Sequence, residues 1–351
     1  MTPPDPTAAN ANAGDPIAGD PAAQLGRLLY GYRLSQAASV AASLGVPDAL
    51  AAGPRTADEL AAELHCDPVL LYRLLRLLAA TDVLHEDAER RFSLTPVGEL
   101  LRSDVPGSMR EPAILQGRPE VLAAYGKLEH AIRTGENAFE AQFGESVWEW
   151  RGRQPALSSQ FNRTMAAWSR MVAPALAGAF DFGSVETVAD IGGGSGSLLA
   201  GVLAAHPTLR GIVFDQPDVV AEAGPVLDAA GVRERAELVG GDFFVEVPQA
   251  DAYVMKSILH DWDDEECVRI MRTIRARVNP AGRLLVVERV LGGPNEDLQG
   301  KLSDIHMLVM PGGVERTLAE WRSLLAAGGW AFQRTQPLAA GWDLLEAAPA
   351  G

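Results

Sequence analysis

The chain has 351 residues, of which 47% are hydrophobic and 22% are charged, as is usual for a soluble globular protein of about two domains. Because 30 Lys and Arg residues face 46 Asp and Glu residues, the net charge of −16 disfavours binding to nucleic acid and to anionic membranes. The sequence shows no apolar run of membrane-spanning length, no signal-peptide pattern and, with only two cysteines, no disulfide framework. We therefore expect a cytoplasmic protein whose partners are a small molecule and a second copy of itself.

The N-terminal part of the chain predicts a tail followed by helices. Residues 1–20 are rich in proline and small polar residues, which predicts a disordered tail. Apolar residues then recur at helical spacing from Ala22 to Leu44. Thr56 opens a further helix as part of a capping box, and Asp67 caps a helix that is dense in leucine.

A β-hairpin is predicted after the leucine-dense helix. Residues 83–84 pair with residues 92–94 across a charged turn. Together with the preceding helices, this order is typical of a winged-helix domain, which we assign to residues 21–108. Winged helices often bind DNA, but only Arg73 and Arg76 are expected to face outward from the leucine-dense helix. A packing or dimerisation role is therefore favoured, and a DNA-binding regulator with a degenerate enzyme domain is kept as an alternative.

The rest of the chain predicts a helical region and then an α/β domain. Residues 109–179 predict further helices, whereas short apolar runs alternate with helical stretches in residues 180–351. The predicted strands are residues 187–191, 211–215, 236–239, 252–255 and 283–287, with a closing hairpin of residues 330–335 and 342–347. Because the intervening segments are long enough for crossover helices, we expect a doubly wound, mostly parallel sheet with helices on both faces.

A glycine-rich loop follows the first strand of this predicted sheet. Gly192, Gly194 and Gly196 allow the backbone to turn tightly and approach a ligand, and a helix begins directly afterwards. The strict dinucleotide-binding spacing needs a glycine where Ser197 stands, which disfavours a nicotinamide oxidoreductase. A glycine loop alone is also consistent with an ordinary structural turn.

Ligand-type residues also end the next two strands. Asp215 ends the second strand, where a carboxylate can accept hydrogen bonds from both hydroxyls of a ribose. Asp242 and Phe243 end the third strand and offer a carboxylate for an exocyclic amine and a ring that stacks on a base. Since ligands bind at the carboxyl ends of parallel strands, the three features predict one binding crevice.

These motifs resemble those of the class I S-adenosylmethionine-dependent O-methyltransferases, in particular the dimeric group of plant phenol methyltransferases and bacterial antibiotic-tailoring enzymes. The resemblance extends in order from about Gln24 to Ala347. The segments that carry it are residues 190–196, Asp215, residues 242–243, residues 256–262 and residues 311–317. It implies a Rossmann-like methyltransferase sheet over residues 180–351. It also identifies the winged helix as a dimerisation domain, so the expected assembly is a homodimer.

The resemblance implies S-adenosylmethionine as the cofactor and an aromatic natural product as the methyl acceptor. The implied cofactor-binding residues are Asp190, Gly192, Gly194, Gly196, Asp215, Gln216, Asp242, Phe243, Lys256, Ser257 and Arg163. The implied acceptor pocket consists of Trp148, Trp150, Met165, Trp168 and Met307. The pocket side chains are equally consistent with a plain helical core.

His260 matches the catalytic histidine of this family. Methyl transfer is an in-line displacement, so the protein must align donor and acceptor and remove the proton of the acceptor. A neutral imidazole, with an unperturbed pKa of about 6.5, suits the role of general base. By resemblance, Glu288 and Glu315 flank the histidine and one of them orients it, while Asp261 contacts the acceptor or holds the loop.

The acidic run of residues 261–266 also raises the question of a metal site. Hard cations prefer clustered carboxylates, but consecutive acids on a helix point in different directions, and a helix N-terminus favours negative charge. We therefore expect no metal and predict an O-methyltransferase that acts on an aromatic hydroxyl. An alternative within the fold is a relative that keeps the cofactor but catalyses hydroxylation or decarboxylation, which would need no base such as His260.

Overall fold

A computed structural model describes residues 20–351. The tail predicted for residues 1–20 therefore lies almost entirely outside the described residues. The chain forms two compact units that divide between Ser103 and Asp104, and the helices predicted for residues 109–179 belong to the second unit. No helix of the described part is long and apolar enough to cross a membrane.

The first unit has a winged-helix architecture. Its helices are α1 (Pro21–Leu44), α2 (Val46–Ala49), α3 (Ala57–Leu64), α4 (Pro68–Ala79) and α5 (Pro96–Glu99). Its strands are β1 (Arg55–Thr56), β2 (Leu84–Glu86) and β3 (Arg91–Leu94), in the antiparallel order β1-β3-β2. The predicted hairpin is present, with Leu84 paired to Leu94, and the predicted capping box of Thr56 and Glu59 opens α3. The sequence did not predict β1, because a strand of two residues has no readable periodicity.

Helices α1 and α4 use their apolar residues differently. Helix α4 buries Leu71, Leu75 and Leu78 in the core of the first unit. Helix α1 is 24 residues long, yet its buried positions are the small residues Ala37, Ser39, Ala41 and Ala42. Its large apolar side chains are exposed, namely Leu25, Leu28, Leu29, Tyr30, Tyr32, Leu34 and Val40. The described single chain therefore leaves an apolar surface of α1 uncovered.

The second unit begins with helices and continues as an alternating α/β structure. The initial helices are α6 (Arg110–Gln116), α7 (Pro119–Tyr125), α8 (Leu128–Thr134), α9 (Ala138–Phe143), α10 (Val147–Gly152) and α11 (Pro155–Ala179). The later helices are α12 (Ser197–Ala205), α13 (Pro217–Val220), α14 (Ala223–Ala229), α15 (Asp264–Arg275), α16 (Leu298–Val309) and α17 (Leu318–Ala327). The strands are β4 (Thr187–Ile191), β5 (Arg210–Asp215), β6 (Ala236–Gly240), β7 (Ala252–Lys256), β8 (Arg283–Glu288), β9 (Val290–Leu291), β10 (Arg316–Thr317), β11 (Trp330–Pro337) and β12 (Asp343–Pro349).

Seven of these strands form one twisted sheet in the order β11-β12-β8-β7-β4-β5-β6. Strands β4 to β8 are parallel, whereas β12 pairs antiparallel with β8 and β11 pairs antiparallel with β12. Buried apolar clusters cover both faces of the sheet. The predicted doubly wound sheet and its closing hairpin are thus confirmed. The order in which successive strands are added to the sheet reverses between β4 and β7. In open sheets of this kind, ligands bind at the carboxyl ends of the strands beside the point of reversal.

Candidate active site at the carboxyl edge of the sheet

The glycine loop between β4 and α12 has a backbone that only glycine adopts easily. Gly192, Gly194 and Gly196 have φ angles of +71°, +54° and +71°. A Cβ atom on Gly192 would come within 2.3 Å of Ile258 Cδ1, so the loop there is packed tightly against the next segment. At Gly194 a Cβ atom would meet nothing within 4 Å. The loop therefore offers open backbone at its centre, next to the amino end of α12.

Asp215, at the end of β5, is hydrogen bonded to the glycine loop. Its Oδ2 accepts a hydrogen bond of 2.8 Å from the Gly194 N–H, and its Oδ1 accepts one of 2.7 Å from the Gln216 N–H. Burial raises the pKa of Asp215, although both backbone hydrogen bonds oppose that shift. The carboxylate is thus fixed at the crevice edge by the loop that it adjoins.

Asp242 and Phe243 follow β6 at the same edge of the sheet. Asp242 is exposed, and its Oδ1 accepts a hydrogen bond of 2.8 Å from the Phe244 N–H. The half-buried Phe243 ring lies edge-on to Trp262 with the ring centres 6.0 Å apart. One carboxylate oxygen of Asp242 therefore remains for a ligand beside β6, while the Phe243 ring also packs against Phe244 with ring centres 5.0 Å apart.

Asp190 and Lys256 are buried charges on adjacent strands. The Asp190 carboxyl lies beneath Gly193, where a Cβ atom would come within 3.0 Å of its Cγ, and its buried Oδ2 has no hydrogen-bond partner in residues 20–351. Burial raises the pKa of Asp190 to about 7, while the nearby Lys256 opposes this shift. Burial lowers the pKa of Lys256 to about 8, and its Nζ donates a hydrogen bond of 3.2 Å to Ser257 Oγ. An unpartnered buried carboxylate oxygen is a site where a ligand can donate a hydrogen bond.

His260 lies among three carboxylates. It belongs to a 3₁₀ turn (Leu259–Asp261) that follows β7. Its Nδ1 is 3.1 Å from Glu315 Oε1 and 3.5 Å from Glu288 Oε2, whereas its Nε2 is 3.7 Å from Asp261 Oδ1. Since Nδ1 pairs with Glu315, we assign the Nδ1–H tautomer, which leaves Nε2 available as a proton acceptor.

The carboxylates change the proton affinity of this cluster. Burial alone lowers the pKa of His260, but the charges of Glu288, Asp261 and Glu315 outweigh burial and raise it to about 10. Burial raises the pKa of Glu288 to about 7 and that of Asp261 to about 6, with His260 opposing both shifts. Hydrogen bonds from His260 and Ser303 outweigh burial at Glu315 and hold its pKa below the ordinary value. The value of about 6.5 for an unperturbed histidine does not apply here.

Glu288 also holds the backbone around His260, while a serine hydroxyl holds Glu315. The fully buried Oε1 of Glu288 accepts hydrogen bonds of 2.9 Å from both the Ile258 and the Leu259 N–H groups. Glu315 Oε1 accepts a hydrogen bond of 2.7 Å from Ser303 Oγ. The second carboxylate oxygen of each glutamate is buried and forms no hydrogen bond in the described chain, although that of Glu288 lies 3.5 Å from His260 Nδ1. Glu288 thus acts both on the imidazole and on the turn that carries it, whereas Glu315 acts on the imidazole.

His260, Glu288 and Glu315 also have the composition of a metal-binding triad. One ligand atom from each residue lies within 4.8 Å of the others. Both Oε1 atoms are already engaged, by backbone N–H groups at Glu288 and by Ser303 and His260 at Glu315. This pattern fits a positioned imidazole, and the expectation that the chain holds no metal stays a prediction.

Two residues that the sequence did not single out hold the His260 turn. The guanidinium of Arg316 is buried and donates hydrogen bonds to the Leu259 carbonyl at 3.1 Å and the Trp262 carbonyl at 3.0 Å. The Cys267 thiol contacts the Leu259 carbonyl from α15 at 3.0 Å. A lone arginine or cysteine in a sequence gives no signal for such a role, because only folding brings these side chains onto the Leu259 carbonyl.

The remaining residues of the predicted site are more dispersed. Arg163 donates hydrogen bonds to Glu111, Ser159 and Gln160 on the surface between α6 and α11, rather than to the glycine loop. Its predicted contact with the cofactor therefore has no support in its hydrogen bonds. Trp168 lies beside Trp342, with ring centres 5.3 Å apart, and the Trp342 N–H donates a hydrogen bond to Ser257.

The other predicted pocket residues lie on three helices. Trp150 packs against Phe143 with ring centres 4.4 Å apart, in the apolar core of the helical region. Trp148 is 37% exposed, Met165 is half-buried on α11 and Met307 is buried on α16. Trp150 also lines a small cavity together with Arg151, Gln160 and Met310. That these side chains bind the acceptor stays a prediction.

Sequence comparison places this site in a known family. An O-methyltransferase domain matches residues 125–331, which is more than half of the chain, and an O-methyltransferase dimerisation domain matches residues 27–104. The chain belongs to the O-methyltransferase family. It is an S-adenosylmethionine-dependent O-methyltransferase, so the alternatives of a DNA-binding regulator, a nicotinamide oxidoreductase and a non-methylating relative are set aside.

Individual relatives agree with this assignment. The chain is 43% identical over 324 residues to the phenazine O-methyltransferase PhzM of Lysobacter antibioticus, covering 92% of this chain and 95% of the relative. It is 44% identical over 330 residues to the O-demethylpuromycin-O-methyltransferase of Streptomyces alboniger, covering 92% and 88%. The chain is also similar to a solved O-methyltransferase from neocarzinostatin biosynthesis, which is in complex with S-adenosyl-L-homocysteine and 1,4-dihydroxy-2-naphthoic acid. The two structures superimpose with a TM-score of 0.76 at 35% sequence identity, covering 90% of this chain and 96% of that chain.

Proposed function

We propose that this O-methyltransferase methylates a hydroxyl group of an aromatic natural product, with His260 as the general base. The observation that supports the base most directly is the 3.1 Å contact of His260 Nδ1 with Glu315, which leaves Nε2 without a hydrogen bond in residues 20–351, on a turn beside the glycine loop. The relatives named above act on a phenazine and on O-demethylpuromycin, and the structural relative holds a dihydroxynaphthoic acid. A hydroxylated aromatic acceptor is the class that these proteins share.

The residues at the crevice fit the cofactor. Asp215 has the carboxylate for the ribose hydroxyls, Asp242 and Phe243 stand where the adenine would bind, and the unpartnered Oδ2 of Asp190 suits the methionine ammonium. The open backbone at Gly194 lets a ligand approach the loop closely. S-adenosylmethionine, when bound, supplies a methyl group on a positively charged sulfur.

The protein has two tasks in the reaction. It must hold the acceptor oxygen in line with the methyl group, and it must accept the proton of the acceptor. With S-adenosylmethionine bound to supply the methyl group, the acceptor oxygen would take the methyl group and Nε2 of His260 would accept the proton of the acceptor hydroxyl. Glu288 and Glu315 stabilise the imidazolium that results, since both carboxyl groups face Nδ1.

We also propose that the chain works as a homodimer. The dimerisation domain covers residues 27–104, and within it α1 exposes Leu28, Leu29 and Tyr32 at 79%, 61% and 58% of their surface. Exposed apolar surface of this kind usually marks an interface, and twofold dimers are the commonest closed assembly.

Methyl transfer from a labelled donor tests the proposed function. Mass spectrometry of ligands that co-purify with the protein should detect S-adenosylmethionine or S-adenosylhomocysteine. A panel of hydroxylated aromatic acceptors, with the O-methyl ethers of the same compounds as controls, should then show transfer only to the free hydroxyls. Transfer to none of the acceptors by protein that binds the cofactor would contradict the proposal.

A further inference from the structure

We propose that Arg151 binds a carboxylate of the aromatic acceptor, so that the preferred acceptors are hydroxylated aromatic acids. This inference rests on the proposed function, because it concerns the acceptor of the same active site. The Arg151 guanidinium has no ion-pair partner within residues 20–351.

The guanidinium of Arg151 stacks on aromatic rings instead of pairing with an acid. Its central carbon lies 3.9 Å from the ring centre of Phe161 and 5.4 Å from that of Trp148. In residues 20–351 its side chain forms no hydrogen bond and no ion pair. No nitrogen of Arg151 is among the fully buried side-chain atoms without a partner, so a ligand can reach its N–H donors.

The two carboxylates that act on Arg151 are engaged elsewhere. Glu120 accepts a hydrogen bond of 2.9 Å from Arg118 Nε. Asp261 lies 3.7 Å from Nε2 of His260. Burial lowers the pKa of Arg151 to about 10, and the charges of Asp261 and Glu120 compensate for this only in part. A carboxylate of a bound ligand would give Arg151 an anionic partner in addition to these two distant charges.

Arg151 interacts electrostatically with residues around His260. It also lines a cavity. Its charge acts on Asp261 and on His306, and both of these residues also interact electrostatically with His260. The cavity that it lines is bordered by Trp150, Leu157, Gln160 and Met310. The mostly apolar walls also carry Arg118 and Glu120, but these two side chains pair with each other, which leaves Arg151 as the lining cation without an ion pair. The ring of an aromatic acid can contact such walls while its carboxylate pairs with the Arg151 guanidinium in two parallel hydrogen bonds.

The neighbouring histidine favours the same kind of ligand. His306 is buried, and its Nδ1 lies 3.2 Å from the hydroxyl of Tyr125. Burial and the nearby charges of Arg151 and His260 lower its pKa to about 4, so it is neutral at physiological pH. Arg151 is therefore the cation with free donors at this end of the described site.

Calorimetry with S-adenosylhomocysteine-loaded protein tests the inference without relying on turnover. The probes are 3-hydroxy-2-naphthoate, 6-hydroxy-2-naphthoate and 2-naphthol, which share a ring and a hydroxyl and differ in the presence and position of the carboxylate. Wild-type protein should bind at least one acid about 10-fold or more tightly than 2-naphthol, as expected for a charge-assisted hydrogen-bonded pair.

Three variants identify the group responsible. Arg151→Met keeps an apolar stem against Phe161 and should remove the preference for the acid, whereas Arg151→Lys should keep part of it. Arg153→Met is the matched control, because Arg153 is exposed and pairs with Glu145 on the surface. If Arg151→Met does not fold, Arg151→Gln provides a neutral side chain that still donates hydrogen bonds.

The outcomes separate the inference from the proposed function. An equal affinity for acids and 2-naphthol in wild-type protein, an unchanged preference in Arg151→Met, or the same loss in Arg153→Met would each overturn the role of Arg151. Acid binding that depends on Arg151, without methyl transfer to any hydroxyl, would count against the proposed function and leave the carboxylate site standing.

Discussion

At the scale of single residues, the charge around His260 determines when it can act. A histidine with one neutral hydrogen-bond partner titrates near pH 6.5, but three carboxylates raise the pKa of His260 to about 10. This folded-state pKa lies above the unfolded value, so the pairing stabilises the fold fully below about pH 6.5 and ceases to do so as the pH rises through about 10. A general base must be neutral, so His260 becomes able to accept a proton only as the pH rises toward that pKa, where the stabilising charge pairing is lost.

The first prediction concerns the pH dependence of turnover. The kcat should keep rising from neutral pH toward about 10, instead of levelling off just above pH 6.5, because His260 loses its proton only in that range. His260→Ala should lower kcat by roughly 10²–10⁴-fold and should abolish the pH dependence for acceptors whose own hydroxyl does not titrate there. The affinity for S-adenosylhomocysteine should barely change. Full activity of His260→Ala with a weakly acidic phenol would leave catalysis to proximity alone.

The second prediction concerns Asp215. Asp215→Ala should weaken the binding of S-adenosylhomocysteine, since each charge-assisted hydrogen bond to a ribose hydroxyl is worth roughly 1.5–3 kcal/mol before water compensates. The same carboxylate holds the Gly194 N–H, so part of the loss would come through the loop. Calorimetry measures the affinity, and a melting curve of the ligand-free protein separates the two effects. Unchanged affinity would remove Asp215 from the cofactor site.

At the scale of elements, the 3₁₀ turn that carries His260 depends on contacts from three other elements of the second unit. Glu288 comes from β8, Arg316 from β10 and Cys267 from α15. The Val314 N–H also donates a hydrogen bond of 2.8 Å to the His260 carbonyl. A turn of three residues has little rigidity of its own, so these neighbours determine where the imidazole points.

The third prediction tests this support. Arg316→Met leaves the buried Leu259 carbonyl without its guanidinium donor, which should lower the free energy of unfolding by about 1–3 kcal/mol. The kcat should fall more than the affinity for S-adenosylhomocysteine, because Arg316 positions the His260 turn and not the glycine loop. Chemical denaturation and kinetics measure the two effects. The control is Arg277→Met, whose exposed ion pair with Glu246 should matter little; a kcat unchanged in Arg316→Met would contradict the positioning role.

At the scale of the whole molecule, the uncovered apolar surface of α1 determines the expected assembly. A helix whose large apolar side chains face water would be unfavourable in an isolated chain, and a second copy can cover it.

The fourth prediction is that light scattering at micromolar concentration gives twice the 37.3 kDa mass of one chain. Leu28→Glu should shift the assembly toward single chains, because it places a charge on the most exposed apolar position of α1. Val245→Glu is the matched control, since Val245 is 73% exposed but belongs to the second unit. A wild-type mass of one chain, or equal effects of both substitutions, would contradict an interface on α1.

The sequence by itself determined the elements and the motifs of this protein. The predicted first strand coincides with β4 at both ends, and the other strands of the sheet differ by one or two residues at their ends. Such elements are readable because a short apolar run between polar or helical stretches is a local property of the sequence. The glycine loop and Asp215 were equally readable, since a strand that runs into glycines and a strand that ends in an acid are local signals.

The tertiary structure decided the electrostatics and the contacts that join distant segments. His260, Glu288 and Glu315 are separated by 28 and 27 residues, and only the packing of β7, β8 and the segment before β10 brings their side chains within 4.8 Å. The raised pKa of His260 follows from that packing, and the position of the unpaired Arg151 guanidinium follows from the packing of α10 against Phe161 of α11. Burial and charge act through space and depend on every neighbour, so they have no counterpart in the local pattern of the sequence.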